Sequence, residues 1–435
     1  MKTLSNALKL GCCMLATLAA APLAAAPVAP AVSYRSGACG DFTIAVIPDT
    51  QNYLDYRHQK AAGYPIEAAN LFFEQMRYVA DNARSAGGDI VFATHVGDVW
   101  QHYSRWSDPA HELRGFKSMP NAMTSQVAAG PRPETLSFEI PNAVKGFSLI
   151  AGKLPFSVVP GNHDYDALWT DPTHPPQPER EGRLKIGIRH LGGLTGYLSA
   201  FSDQSEFFKG QPWYAGSHDD GADSAQIVTA GQCRLLHIGL QFDAPDASLA
   251  WAERTIRRHP GLPTIVTIHK YLDRDGKRAD TPALDLSILD HRDNNPQMVW
   301  DEFVSRHDQI FLVLSGHIGG QGYSVDANLN GRPVHQVMAD FQDRSQVAKQ
   351  AGVKSGGAIG DGWMRLLKFR LDDAKPNIEV RTYSTHYRKF SSELKDYAAW
   401  YKAREGQAAL SDEAFLARDS FVIPLDDFHA RFGGR

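Results

Sequence analysis

Five apolar, β-branched runs that each stop on a polar side chain constrain this sequence more than any other feature. Phe42–Ile47 leads to Asp49, Ile90–Ala93 to Asp98, Phe156–Val159 to Asn162, Thr264–Ile268 to His269, and Ile310–Leu314 to His317. Runs of this length and composition read as buried strands. Between the first two, Ala69, Phe72, Phe73, Met76, Val79, Ala80 and Ala83 recur with helical spacing, predicting a helix from about Pro65 to Ser85 that Gly87-Gly88 closes. Strand, helix, strand predicts a parallel pair with a right-handed crossover, and therefore an α/β fold. Open α/β sheets build their sites at the carboxyl ends of the strands, where these polar groups fall. Glycine directly precedes Asp98, Asn162 and His317, as expected where backbone bends sharply and approaches an ion.

The block Gly161-Asn162-His163-Asp164 carries the most chemistry. Asn162 offers a neutral oxygen to a hard cation, His163 can move a proton, and Asp164 can orient that imidazole. By itself the block is also ordinary turn chemistry. Its weight comes from the matching groups at the other strand ends. Carboxylates, an amide oxygen and imidazoles together suit Mn, Fe, Zn or Mg rather than a thiolate site.

Taken together, Asp49-x-Gln51, Gly97-Asp98, Gly161-Asn162-His163-Asp164, His269 and Gly316-His317-x-Gly319 resemble, in order, the motifs of the calcineurin-like metallophosphoesterase superfamily, over roughly Phe42 to Tyr383. The resemblance implies a four-layer α/β–β/α sandwich, two facing mixed sheets with helices outside. It implies two divalent ions about 3.5–4 Å apart, bridged by Asp98. Asn162, His269 and His317 would serve the second ion, and Asp49 and Gln51 the first. His163 would protonate the leaving oxygen, with Asp164 as its orienting partner. Gln51 and Gly319 stand where histidines are usual, so of the two ions (Mn, Fe, Zn, Mg or Ca) the first keeps weaker and harder ligands, which favour Mn, Mg or Ca there over Fe or Zn. A branch with Asp-Thr-Gln in the first motif has this pattern, and Asp340-Phe341-Gln342 resembles a patch that lines its site.

The expected activity is hydrolysis of phosphomonoesters or phosphodiesters by a metal-activated water, on a small-molecule substrate. The alternatives are a protein Ser/Thr phosphatase of the same superfamily and a non-catalytic, metal-bearing binding module. Tyr53, Trp100, Gln101, His102 and Tyr271 flank the motifs as candidates for a substrate wall; plain packing is the competing reading. His95 reads as supporting the Gly-Asp turn and His237 as a core residue.

The remaining features set the compartment. Lys2 and Lys9, an apolar run from Leu10 to Ala26 and Ala29-Pro30-Ala31 predict a signal peptide over residues 1–31, and secretion or export to the periplasm. The domain is expected over 41–387, with a helical and extended tail over 388–435 packing on it. No second long apolar run predicts a membrane span, and a formal net charge of −4 without basic, aromatic-laced stripes does not indicate nucleic-acid binding. Cys12 and Cys13 fall within the signal peptide, leaving Cys39 and Cys233, expected to pair in an oxidising compartment. Residues His102–Pro133 and Asp171–Arg183 read as long surface excursions over the site face.

Overall fold

The computed structural model describes residues 39–113, 131–170, 189–279, 284–354 and 357–433. The expected signal peptide and the Pro-rich excursion from Asp171 to Arg183 lie outside them, as does most of the His102–Pro133 loop.

The strand runs read from the sequence become the centres of two seven-stranded sheets. In the first, β1 (Phe42–Ile47), β2 (Ile90–His95) and β3 (Phe156–Val158) are mutually parallel. Antiparallel to β1 runs β13 (Trp363–Arg370), followed by β14 (Asn377–Ser384), whose far edge holds both β15 (Lys389–Phe390) and β16 (Ser420–Pro424). In the second, β8 (Cys233–Leu240), β9 (Thr264–Ile268), β10 (Ile310–Ser315) and β12 (Pro333–Asp340) are parallel in that spatial order. Antiparallel strands β11 (Gly320–Ala327), β7 (Asp223–Ala230) and β6 (Tyr214–His218) complete its edges. A separate ribbon joins β4 (Ala167–Thr170) to β5 (Arg189–Gly192). The architecture is α/β with two mixed sheets and helices, compatible with an α/β sandwich.

Strands buried on both faces explain why the central runs are continuously apolar rather than alternating. One core joins Phe42, Ile44, Val46 and Phe92 of the first sheet to Val228, Leu235, Ile265 and Leu312 of the second. A second core packs the helices Ala69–Asp81 and Ile140–Ser148 on the first sheet through Phe72, Met76 and Phe147. A third packs the helix Asp246–Arg258 on the second sheet through Trp251 and Ile256. The first of these helices is shorter than its periodicity predicts, because the chain leaves α geometry at Asn82 and makes a separate 3-10 turn over Arg84–Ala86. His237 lies in the inter-sheet core as read, with Nδ1 on Gln226 Oε1 at 2.7 Å and Nε2 on Thr267 Oγ1 at 2.8 Å.

The segment 388–435 does more than cover the surface. Its β16 pairs along β14, Ile423, Leu425, Phe428 and Phe432 enter the inter-sheet core, and Tyr397, Tyr401 and Phe415 pack on Trp363 and Phe341. Buried Arg344 ties this segment in through Glu405 at 2.7 Å. Cys39, ahead of β1, and Cys233, at the start of β8, form the expected disulfide, joining one sheet to the other. A disulfide is in keeping with an oxidising compartment. Among the described residues no helix is long and apolar enough to cross a membrane.

Candidate metal centre

Every strand end singled out in the sequence delivers its side chain to one place. Parallel neighbours put the carboxyl ends of β1, β2 and β3 along one sheet edge and those of β9, β10 and β12 along the other. Asp98 is the hub. Its Oδ1 lies 3.3 Å from His269 Nε2 and accepts the His163 amide at 2.8 Å. His269 Nε2 is 3.3 Å from Asn162 Oδ1, 3.2 Å from His317 Nδ1 and 4.0 Å from Asp49 Oδ2. Gln51 Nε2 reaches Asp98 Oδ2 at 3.1 Å. Asp98, His269 and His317 offer ligand atoms all within 4.8 Å of one another.

The backbone is bent to achieve this. Asp98 and His317 both take left-handed conformations, at φ 53° and 70°, which cost an L residue about 1–2 kcal/mol each. Strain of this kind collects at functional sites. The preceding glycines supply room. A Cβ on Gly161 would lie 2.3 Å from the amide nitrogen and Oδ1 of Asp98, and one on Gly316 would lie 2.1 Å from Asp49 Oδ1. Gly316→Ala is therefore expected to push Asp49 out of place and weaken divalent-cation binding at least about tenfold, measured by isothermal titration with Mn2+. Unchanged affinity would show that the close approach is incidental.

The electrostatics of the cluster are set by burial and by its own charges. Burial pushes the Asp49 carboxyl well up, and the charges of Asp340 and then Asp98 push it further. Burial acts the same way on Asp98, but His269 and His163 outweigh it and hold that carboxyl below the usual range. Burial, with His269 beside it, holds the His317 ring far below the ordinary histidine value, leaving a neutral donor. Gln51 Oε1 is buried without a hydrogen-bond partner, so this amide oxygen is left free to serve as a donor. The residues present thus fit divalent cations.

His163 and Asp164 part company. His163 Nδ1 lies 2.7 Å from the carbonyl of Gln101, which can only accept, so Nδ1 carries a proton and Nε2 faces Asp98 Oδ2 at 4.0 Å. Tyr103 stacks on the ring. Asp164 does not orient this imidazole, contrary to the expectation. Its Oδ1 accepts from the amides of Val99 and Trp100 and its Oδ2 from Gly161 at 2.8 Å, tying the turn after β2 to the turn after β3. Burial, and next the charge of Asp98, raise its pKa to about 8.

Sequence reasoning missed Glu139. It ends a π-helical turn, Thr135–Glu139, and accepts from the Gln101 and His102 amides and from His102 Nδ1 at 2.7 Å. It therefore anchors the segment whose carbonyl holds His163. Asp55, His102 and Glu139 also have ligand-like spacing, but the Arg57 guanidinium already pairs with Asp55. Tyr53, Trp100, His102 and Tyr271 are buried, in keeping with the packing reading, and Gln101 is half-buried; among the described residues Tyr103 stacks on His163 and Phe242 lies against His269 and His317. His95 supports the turn as read, receiving the Gly97 amide on Nδ1 and meeting Thr50 Oγ1 through Nε2 at 2.9 Å.

No family model matches the chain. It is 21% identical over 351 residues to the uncharacterized protein YvnB of Bacillus subtilis (strain 168), an alignment covering 79% of this chain. The chain spans about a fifth of that relative's length, the alignment taking in 20% of it.

Proposed function

We propose that the chain is an exported, metal-dependent phosphoric ester hydrolase with the four-layer sandwich of the calcineurin-like metallophosphoesterases. The observation that carries this reading is the meeting of Asp49, Gln51, Asp98, Asn162, His269 and His317, drawn from strand ends of both sheets, around one buried point. Asp98 would bridge two divalent cations, Asn162, His269 and His317 would hold the second, and Asp49 and Gln51 the first. Bound there, such cations lower the pKa of a coordinated water and neutralise charge on a phosphoryl group.

The chain's own groups supply the remainder. With Nδ1 donating to Gln101, the His163 ring is fixed in plane and presents Nε2 toward the centre. In the imidazolium form it carries a proton on each nitrogen and can give the Nε2 proton to a departing alkoxide. Asp164 keeps the Asp98 and His163 turns at a fixed spacing through backbone amides rather than by touching the ring. Phe242 and Tyr103 wall the centre with apolar surface, which strengthens the local field by excluding water.

The test is hydrolysis of p-nitrophenyl phosphate and bis(p-nitrophenyl) phosphate by protein reconstituted with Mn2+, Zn2+, Mg2+ or Ca2+. His163→Ala is expected to lower turnover by about 100-fold while leaving the bound-metal content, read by elemental analysis, unchanged. Wild type inert to both esters with every cation, yet still metal-bearing, would overturn the hydrolase reading in favour of a binding module.

A further inference from the structure

We propose that the first cation is held by oxygen alone, and that Gln342 is one of its donors, in a site selective for hard divalent ions such as Mn2+, Mg2+ or Ca2+. The inference rests on the metal-centre reading above and gives that site a residue the strand-end motifs do not include.

Gln342 follows the end of β12, which runs parallel to β10, the strand that delivers His317. It is held in one orientation. Asp340 accepts its amide N–H through Oδ1 at 2.9 Å and its Nε2 through Oδ2 at 2.8 Å, and its carbonyl accepts Asn52 Nδ2 at 3.0 Å. With the nitrogen committed to Asp340, the Gln342 carbonyl oxygen Oε1 must point the other way, and it meets Gln51 Nε2. Asp98 Oδ2 meets the same nitrogen at 3.1 Å. Two acceptor oxygens from different elements thus aim at one point, filled here by a donor N–H.

The other half of that donor is anomalous. Gln51 Oε1 is buried without a partner, in a residue only 1% exposed. A glutamine amide has nearly the same shape when turned over. Turned, Gln51 would place its oxygen beside those of Asp98 and Gln342, an arrangement that is repulsive without a cation and is a ligand set with one. Among the described residues no lysine or arginine hydrogen-bonds Asp49, Asp98 or Asp340.

Among the described residues no third imidazole joins His269 and His317 in the ligand-spaced cluster with Asp98. At position 319 a Cβ would lie 3.0 Å from Asp343 Oδ2 and 3.6 Å from an Arg274 nitrogen, so the space a longer side chain would need is already occupied. Carboxylate and amide oxygens without imidazole or thiolate select hard ions over Zn2+.

The experiment is Mn2+ titration of the full-length apoprotein by calorimetry and by electron paramagnetic resonance, with folding checked by circular dichroism. Wild type is expected to bind in two steps and to give an exchange-coupled Mn2+ pair. Gln342→Ala is expected to weaken the looser step about tenfold or more and abolish the coupled signal while sparing the tighter step. Gln342→Glu, which adds a charge at the donor but sets an oxygen against Asp340 Oδ2, is expected to change the affinity of the looser step. Gln51→His is expected to raise its preference for Zn2+. Two unchanged steps in Gln342→Ala, or, if that variant does not fold, an unchanged looser step in Gln342→Glu, would overturn the proposal while leaving the metal centre standing. Wild type that binds no divalent cation would overturn both.

Discussion

Asp98→Asn is expected to lower kcat/KM for phosphate-ester hydrolysis about 10⁴-fold, the largest effect of any single change in the chain. The reason is geometric. One carboxylate oxygen faces His269 Nε2 and the His163 amide while the other faces Gln51, so both halves of the centre are built on the same side chain. An amide of the same size keeps the turn but removes the charge and replaces one oxygen by a donor. A loss of 10⁴ corresponds to roughly 5–6 kcal/mol of transition-state stabilisation, a size suited to losing a cation rather than one hydrogen bond. Steady-state kinetics with excess Mn2+, beside metal content after gel filtration, make the check. A variant that keeps both ions and more than a tenth of wild-type activity would remove Asp98 from the bridging role.

Reducing or deleting the Cys39–Cys233 bridge is expected to cost about 5 kcal/mol of stability. The two cysteines are 194 residues apart in sequence, and the chain-entropy relation for closing a loop of that length gives about that figure. Both cysteines are buried in the core between the sheets, so Cys39→Ala with Cys233→Ala also leaves a small cavity there. Urea unfolding of the oxidised protein and of the double alanine variant gives the difference directly. A change under 1 kcal/mol would mean that the unfolded chain is already compact around this loop.

The strand ends were legible because central parallel strands are buried on both faces and end on glycine and a polar group, a pattern local enough to see. Edge strands were not: β6 is half-buried throughout, β11 and β16 carry mixed burial, and all three lack continuous β-branched runs. The segment 388–435 read as a tail because the contacts that fix it, β16 on β14 and Glu405 on Arg344, span some tens of residues. Asp164 was placed correctly but given the wrong work, since adjacency to His163 says nothing of the backbone amides that consume its oxygens. Glu139 and the meeting of Gln342 with Gln51 and Asn52 come from tertiary contacts across tens to hundreds of residues, which no spacing rule reaches.

The centre draws donors from both sheets, and this ties occupancy to assembly of the fold. In the proposed arrangement, an ion gripped by Asp98 and Asn162 on one side and by His269 and His317 on the other would act as a rivet. By mass action, each tenfold excess of free ion over its dissociation constant adds about 1.4 kcal/mol against separation of the two halves. With ions bound as proposed, robustness of the molecule would track the mineral content of its surroundings as well as its own sequence.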